Sequence, residues 1–164
     1  RQLLVAAPDS PVPEDAPMTV DVDEGVHFRP ERDGRAVVGG HFDDHDPERD
    51  PDRYRTSNDL DWAVETLEHA SGVASYFGPD TEMVRGWAGL YSVTPDHHPV
   101  IEETSPGFVN AVGFSGHGFM QSPATGRVVA ELVLDGAAHT VDVSALTADR
   151  FERGETLHEG TVID

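Results

Sequence analysis

The chain opens on an apolar run, residues 1–7, that reads as a strand already in progress. Pro8, Pro11, Pro13 and Pro17 then predict a turn-rich connector. Residues 18–22 alternate apolar with polar positions, as do residues 26–30, and Asp23-Glu24-Gly25 between them predicts a tight hairpin turn. Glu31-Arg32-Asp33-Gly34 predicts a second turn, leading into a strand over 35–40. Three strands in meander order predict an antiparallel sheet. Residues 41–58 are polar, hold Pro47 and Pro51, and predict a long exposed loop. Ser57 or Asn58 can cap a helix over about 59–70, with Trp62, Ala63, Leu67 and Ala70 on one face and Gly72 at its end.

Residues 83–93 read as one or two strands broken at Gly86 and Gly89. Residues 108–113 read as a short buried strand that runs into a glycine-rich loop over 113–118. Ser122 as cap and Pro123 in the first turn then predict a helix through Leu134, closed by Asp135-Gly136.

The strongest local signal is Gly113-Phe114-Ser115-Gly116-His117-Gly118-Phe119, set between a strand and a helix amino terminus. Three glycines in six residues let backbone N–H groups approach a ligand closely, and the helix dipole adds positive potential. Such a site suits an anion: a phosphate, a carboxylate, or the carbonyl edge of a reduced flavin. A turn that needs its glycines only for packing is the competing reading. The dinucleotide fingerprint G-x-G-x-x-G does not fit, because the spacing here is G-x-x-G-x-G. The hydrolase elbow G-x-S-x-G fits Gly113 and Ser115 but fails at His117. A serine hydrolase using Ser115 therefore stands as a weak alternative.

Composition narrows the chemistry. The chain has 31 Asp and Glu against 11 basic residues, a net charge of −20, with no Lys and no Cys. Walker-type and Schiff-base lysines are excluded, as are disulfides, thiolate nucleophiles and cysteine-linked cofactors. The acids are spread along the chain, as in a solvated surface rather than an acidic tail. An acidic, Arg-only composition predicts a cytoplasmic protein from an organism with molar internal salt, where the Debye length falls to about 3 Å. A surface of this sign is wrong for nucleic acid, and no apolar window predicts a membrane span. His41, Asp43, Asp44, His45 and Asp46 have metal-ligating types, but no helical pattern holds them together, so a solvated acidic loop is expected and no metal.

A second segment, Arg85-Gly86-Trp87-Ala88-Gly89-Leu90-Tyr91-Ser92-Val93-Thr94-Pro95-Asp96-His97-His98-Pro99-Val100-Ile101, precedes the loop. Taken with the 113–119 loop, it resembles the D-amino-acid oxidase superfamily of FAD enzymes, and is most similar to beta-subunit-type sarcosine oxidase and dye-linked proline dehydrogenase. The hairpin Val26-His27-Phe28-Arg29-Pro30-Glu31 with Gly39-Gly40, and the tail from Arg150-Phe151 to Ile163, are also similar to that superfamily. The resemblance implies a flavin whose pyrimidine end faces Gly113, Ser115, Gly116, His117, Gly118 and Phe119, with Gly86, Trp87, Thr94, Pro95 and Asp96 close behind. It implies hydride transfer from an amine or amino acid to the flavin, and hydrolysis of the imine afterwards. His117 and Tyr91 become the candidate catalytic residues; for His117 a loop-stabilising hydrogen bond is the competing role.

Departures from the family pattern fall at the substrate positions. Monomeric sarcosine oxidases place a Lys directly after the loop, where this chain has Met120, and glycine oxidases use an Arg in the segment where Tyr91 stands. Arg29 and Arg85 become the candidates for holding a substrate carboxylate. Any FAD is held without a cysteine link.

The expected fold is α+β. Residues 1–92 would form the antiparallel or mixed sheet of a substrate domain with its flanking helix. Residues 93–164 would supply the strand, glycine-rich loop and helix of an FAD-binding domain whose N-terminal Rossmann part is absent. On this reading the chain is a fragment, needs that segment or a partner subunit to hold FAD well, and is compatible with oligomer formation. A non-catalytic binding or regulatory module derived from a flavoenzyme is the alternative from another class.

Overall fold

The computed structural model describes residues 1–42 and 48–157. Asp43, Asp44, His45 and Asp46 of the acidic loop, and the tail beyond 157, lie outside the described residues. The chain divides into two compact units, one of residues 1–90 and one that begins at Tyr91.

The first unit is a five-stranded antiparallel sheet covered on one face by a helix. Its strands are β1 (Gln2–Ala7), β2 (Thr19–Asp21), β3 (Val26–Pro30), β4 (Ala36–Gly40) and β5 (Glu82–Ala88), in the order β2-β3-β4-β1-β5. The meander β2-β3-β4 follows the turns read from the sequence. β1 lies between β4 and β5, antiparallel to both. That central place explains its unbroken apolar run, since a strand buried on both faces has no reason to alternate.

Helix α1 (Leu60–Val73) packs Trp62, Ala63, Thr66 and Ala70 onto Leu4, Ala6, Phe28, Ala36 and Val38, with Val12 and Phe77 closing the core. The buried Trp62 indole donates to Gly40 O at 3.3 Å. Two expectations about α1 are corrected. Asp59, not Ser57 or Asn58, occupies the cap position, and no side chain caps there. Asn58 is diverted: its amide donates to Leu3 O (3.0 Å) and Trp87 O (3.3 Å), tying the helix entry to the sheet. Gly72 lies inside the helix, which ends only where Ala74 turns extended. The 83–93 segment forms one strand that passes through Gly86, not two.

In the second unit, β6 (Val100–Ser105) and β7 (Phe108–Val112) form an antiparallel hairpin, followed by helix α2 (Gly118–Asp135) and a helical turn α3 (Asp149–Glu152). β6 was not read from the sequence. β7 was expected to be buried, but Phe108 and Val112 are exposed among the described residues. α2 starts five residues earlier than Pro123 and contains it. The proline ring removes the N–H that would bond the Phe119 carbonyl, and the Ser122 hydroxyl donates to that carbonyl instead at 2.8 Å. That substitution lets the helix run through a residue that sequence reading takes for its start. Gly136, left-handed at φ 74°, closes it as expected. No helix among the described residues is long and apolar enough to cross a membrane.

Candidate functional site

In the first unit the candidate residues Arg29, Arg85 and Trp87 lie on the sheet face away from α1. Strand register places Arg29, Val37, Val5 and Arg85 in one row across β3, β4, β1 and β5, and His27, Gly39, Leu3 and Trp87 in the next row on that face. Arg29 is exposed, within 4.0 Å of Glu31. The Arg85 guanidinium carbon lies 5.5 Å from the Trp87 ring centre, and no carboxylate pairs with it among the described residues. Gly86 points the other way. A Cβ there would lie 1.6 Å from Asn58 Oδ1, so this glycine makes room for the Asn58 clamp.

His27 adds a feature that sequence reading passed over. Its ring lies over Gly39, where a Cβ would come within 2.3 Å of it, and stacks on His41 at 4.9 Å. Arg1 Nη1 lies 2.8 Å from His41 Nδ1, and His41 Nε2 lies 3.1 Å from His27 Nδ1. An arginine can only donate, so His41 Nδ1 accepts and its Nε2 carries the proton given to His27. Both imidazoles are therefore neutral. Burial, reinforced by Arg1, lowers the pKa of each below the usual 6.5, to about 4 for His41.

In the second unit the 113–118 turn opens α2. Gly113 (φ 74°), Ser115 (φ 49°) and Gly116 (φ 94°) are left-handed, a conformation that glycine accepts without cost and serine does not. Ser115 N donates to Ser92 O at 3.1 Å and His117 N to Phe114 O at 2.9 Å. A Cβ on Gly116 would lie 2.5 Å from the Tyr91 ring, so the turn packs directly on that ring. His117 is the cap residue of α2, but its imidazole does not cap. The amides of Gly118, Phe119 and Met120 precede the first helical bond, from Gln121 N to His117 O, and the first turn holds no acidic residue. Phe119 is 95% exposed and Met120 also projects outward. Uncapped N–H groups with the positive end of a helix dipole make an anion-receptive surface.

Ser115 is not presented as a nucleophile. Its buried hydroxyl donates to Gly113 O (3.3 Å) and accepts from Thr94 N (3.4 Å), and no histidine bonds it among the described residues. Asp96 is committed elsewhere. Its carboxylate takes a two-pronged bond from Arg150, which holds it well below the usual carboxylate range. Thr94 Oγ1 donates to His98 O at 2.7 Å, Pro95 is exposed beside it, and together they close the turn in front of Asp96.

One sequence signal could have marked these segments without any motif. In a chain with 31 acids, residues 104–130 carry none, and the next longest acid-free run is 83–95. The first run holds the turn and the start of α2; the second holds Arg85, Trp87, Tyr91 and Thr94.

The family model described as FAD dependent oxidoreductase matches residues 1–132. The chain is 33% identical over 153 residues to the FAD-dependent oxidoreductase domain-containing protein 1 of Bos taurus, covering 91% of this chain and 31% of that protein. It is 35% identical over 80 residues to a monomeric sarcosine oxidase of Bacillus sp. (strain NS-129), covering 46% of this chain and 20% of that protein. The crystal structure of L-proline dehydrogenase from P. horikoshii matches with a TM-score of 0.76 and 28% identity, over 95% of this chain and 40% of that one. The chain thus spans about a third of the length of the first curated relatives it matches. The chain belongs to the FAD dependent oxidoreductase family.

Proposed function

We propose that this chain supplies the substrate-facing sheet and the flavin-facing turn of an enzyme that oxidises a small secondary amine or amino acid, of the sarcosine, proline or glycine kind. The observation that carries the reading is the uncapped start of α2 behind the 113–118 turn, inside the longest acid-free run of a strongly acidic chain. Salt-adapted surfaces favour carboxylates wherever water is the only neighbour, so their exclusion here marks a surface reserved for something negative.

The residues present fit FAD. Gly116 is left-handed and exposed, so the turn presents backbone there rather than a side chain, and the amides of Gly118, Phe119 and Met120 open the helix beside it. Bound there, FAD would supply the two-electron acceptor for amine oxidation. Gly116, Gly118 and Phe119 would line its pyrimidine edge, and the amides of Gly118, Phe119 and Met120 would favour negative charge as it develops. Tyr91 would fix the turn from beneath. Asp96 and Ser115 would act through the shape of the turn, and the half-buried imidazole of His117, which does not cap the helix, would be the side chain to reach a ligand. With no Cys in the chain, the cofactor would be held without a cysteine link.

On the sheet face, Arg29 or Arg85 would hold a substrate carboxylate, with Trp87 supplying an apolar wall beside Arg85. Replacing by Met the arginine that does so should raise KM for an amino-acid substrate roughly tenfold or more, by loss of a charge-assisted contact. An unchanged KM in both variants would remove the sheet face from substrate binding. By itself the chain is expected to hold FAD weakly, with the dinucleotide-binding part of the fold supplying most of the affinity. FAD retained stoichiometrically by the chain through gel filtration would overturn that. The reaction is tested by mixing the flavin-loaded protein anaerobically with sarcosine, L-proline or glycine. Bleaching of the flavin by one of them supports the reading, and no bleaching by any of the three contradicts it. Cytoplasmic placement and a salt-adapted source are part of the same proposal.

A further inference from the structure

The geometry points to Arg150 as a positioning residue, a buried guanidinium that sets the shape of the 113–118 turn through Asp96 and Thr94. Arg150 and Asp96 are the least accessible ion pair among the described residues, with side chains 1% and 0% exposed. Arg150 Nε and Nη2 reach the two Asp96 oxygens at 2.8 and 2.9 Å. Nη2 also meets His98 O at 2.7 Å, and Nη1 meets Thr147 O at 3.1 Å. The Asp96 oxygens accept in addition the amides of His98 (3.1 Å) and Leu157 (3.2 Å). One ion pair therefore ties residues 147–157 to the 94–98 turn. The Phe151 ring covers the guanidinium at 4.1 Å.

Thr94 carries this anchorage to the glycine-rich turn. Its hydroxyl is fixed on His98 O, its N–H donates to Ser115 Oγ, and its Cγ2 methyl fills the space over Gly113, 2.5 Å from where a Cβ would stand. The turn needs such a hold. Ser115 is left-handed, a conformation that costs a non-glycine residue free energy and persists only where the surroundings impose it.

Arginine is required rather than lysine, because the planar fork serves a carboxylate and two carbonyls at once. The pair also suits a salty interior. Exposed pairs such as Arg55–Asp59 and Arg153–Glu155 are weakened by dissolved ions, whereas a pair that water does not reach is screened far less. The tether stands on these contacts alone; its consequence for flavin rests on the function proposed above.

The test is amide hydrogen exchange on the full chain without FAD, comparing wild type, Arg150→Lys and the exposed control Arg127→Lys. Arg150→Lys should speed exchange of the Ser115 and His117 amides about tenfold, the loss of one to two charge-assisted bonds. The β6–β7 ladder and the interior of α2 should change little, and Arg127→Lys should leave the turn as it was. Uniform acceleration across the second unit, or none at the turn, would overturn the proposal. Thr94→Ser leaves the ion pair intact and removes the methyl over Gly113. It gives the same turn-selective loosening if the relay is right, and none if it is wrong, even where Arg150→Lys fails to fold. FAD titration of Arg150→Lys separates the two readings. Loosened amides with weaker binding support both, while loosened amides with unchanged binding keep the tether and remove flavin from the turn.

Discussion

A methyl group added at Gly72 meets nothing within 4 Å, while the same group at Gly116 would lie 2.5 Å from the Tyr91 ring, on backbone at φ 94°. Gly72→Ala should therefore raise stability by about 0.5–1 kcal/mol, the helix-propensity difference. Gly116→Ala should cost about 1–3 kcal/mol through backbone strain, with the ring contact adding to it. Urea midpoints of the two variants would check both signs. Thr66 offers a third case: its hydroxyl is buried without a partner among the described residues. Thr66→Val keeps the shape and removes that group, so it should be neutral or stabilising by about 1 kcal/mol, and a loss of stability would show an undetected partner. The glycine-rich turn was legible in the sequence because glycine there answers a backbone requirement. Gly72 was misread because glycine inside a helix looks the same as glycine after one.

At the scale of elements, strands were easier to read than helix ends. Strand alternation reports burial directly, and it gave the meander correctly. Helix starts depend on which side chain reaches which amide, and α1 lost its predicted cap to a tertiary demand, α2 to a local one made by its own proline. Asn58 serves two sheet carbonyls, and Ser122 serves the carbonyl left open by Pro123. Asn58→Ala should lower stability by about 1–3 kcal/mol, since two carbonyls lose their donor while the helix keeps its length. The ion pair of Asp96 and Arg150 lies 54 residues apart in the chain, beyond any local pattern. The Arg1–His41–His27 group joins β1, β3 and the end of β4, and it predicts a pH response. Both histidines have folded pKa values below their unfolded value of 6.5. The unfolded chain then binds more protons below pH 6.5, so stability is full above that pH and falls as pH drops toward 4. His41→Gln should flatten the slope of the urea midpoint between pH 6.5 and about 4; an unchanged slope would mean the pair is protonated in the fold.

For the whole molecule, the excess of 20 negative charges sets the conditions under which the fold holds. Raising KCl from about 0.1 to 1 M shortens the Debye length from about 10 to 3 Å, which should raise the thermal midpoint by relieving carboxylate repulsion. A midpoint that falls with KCl would show that exposed ion pairs outweigh the repulsion. The same charge distribution supports the central claim, because acids are absent from the two segments that carry the candidate site. The most direct measurement is FAD affinity of wild type and Gln121→Glu, by fluorescence titration with the dinucleotide-binding part of the fold present. The substitution changes no size and places one acid in the first turn of α2, where it should slightly stabilise the helix itself. If that helix start receives the flavin, affinity should fall about tenfold through charge repulsion at an otherwise uncapped terminus. Equal or tighter binding would contradict the account.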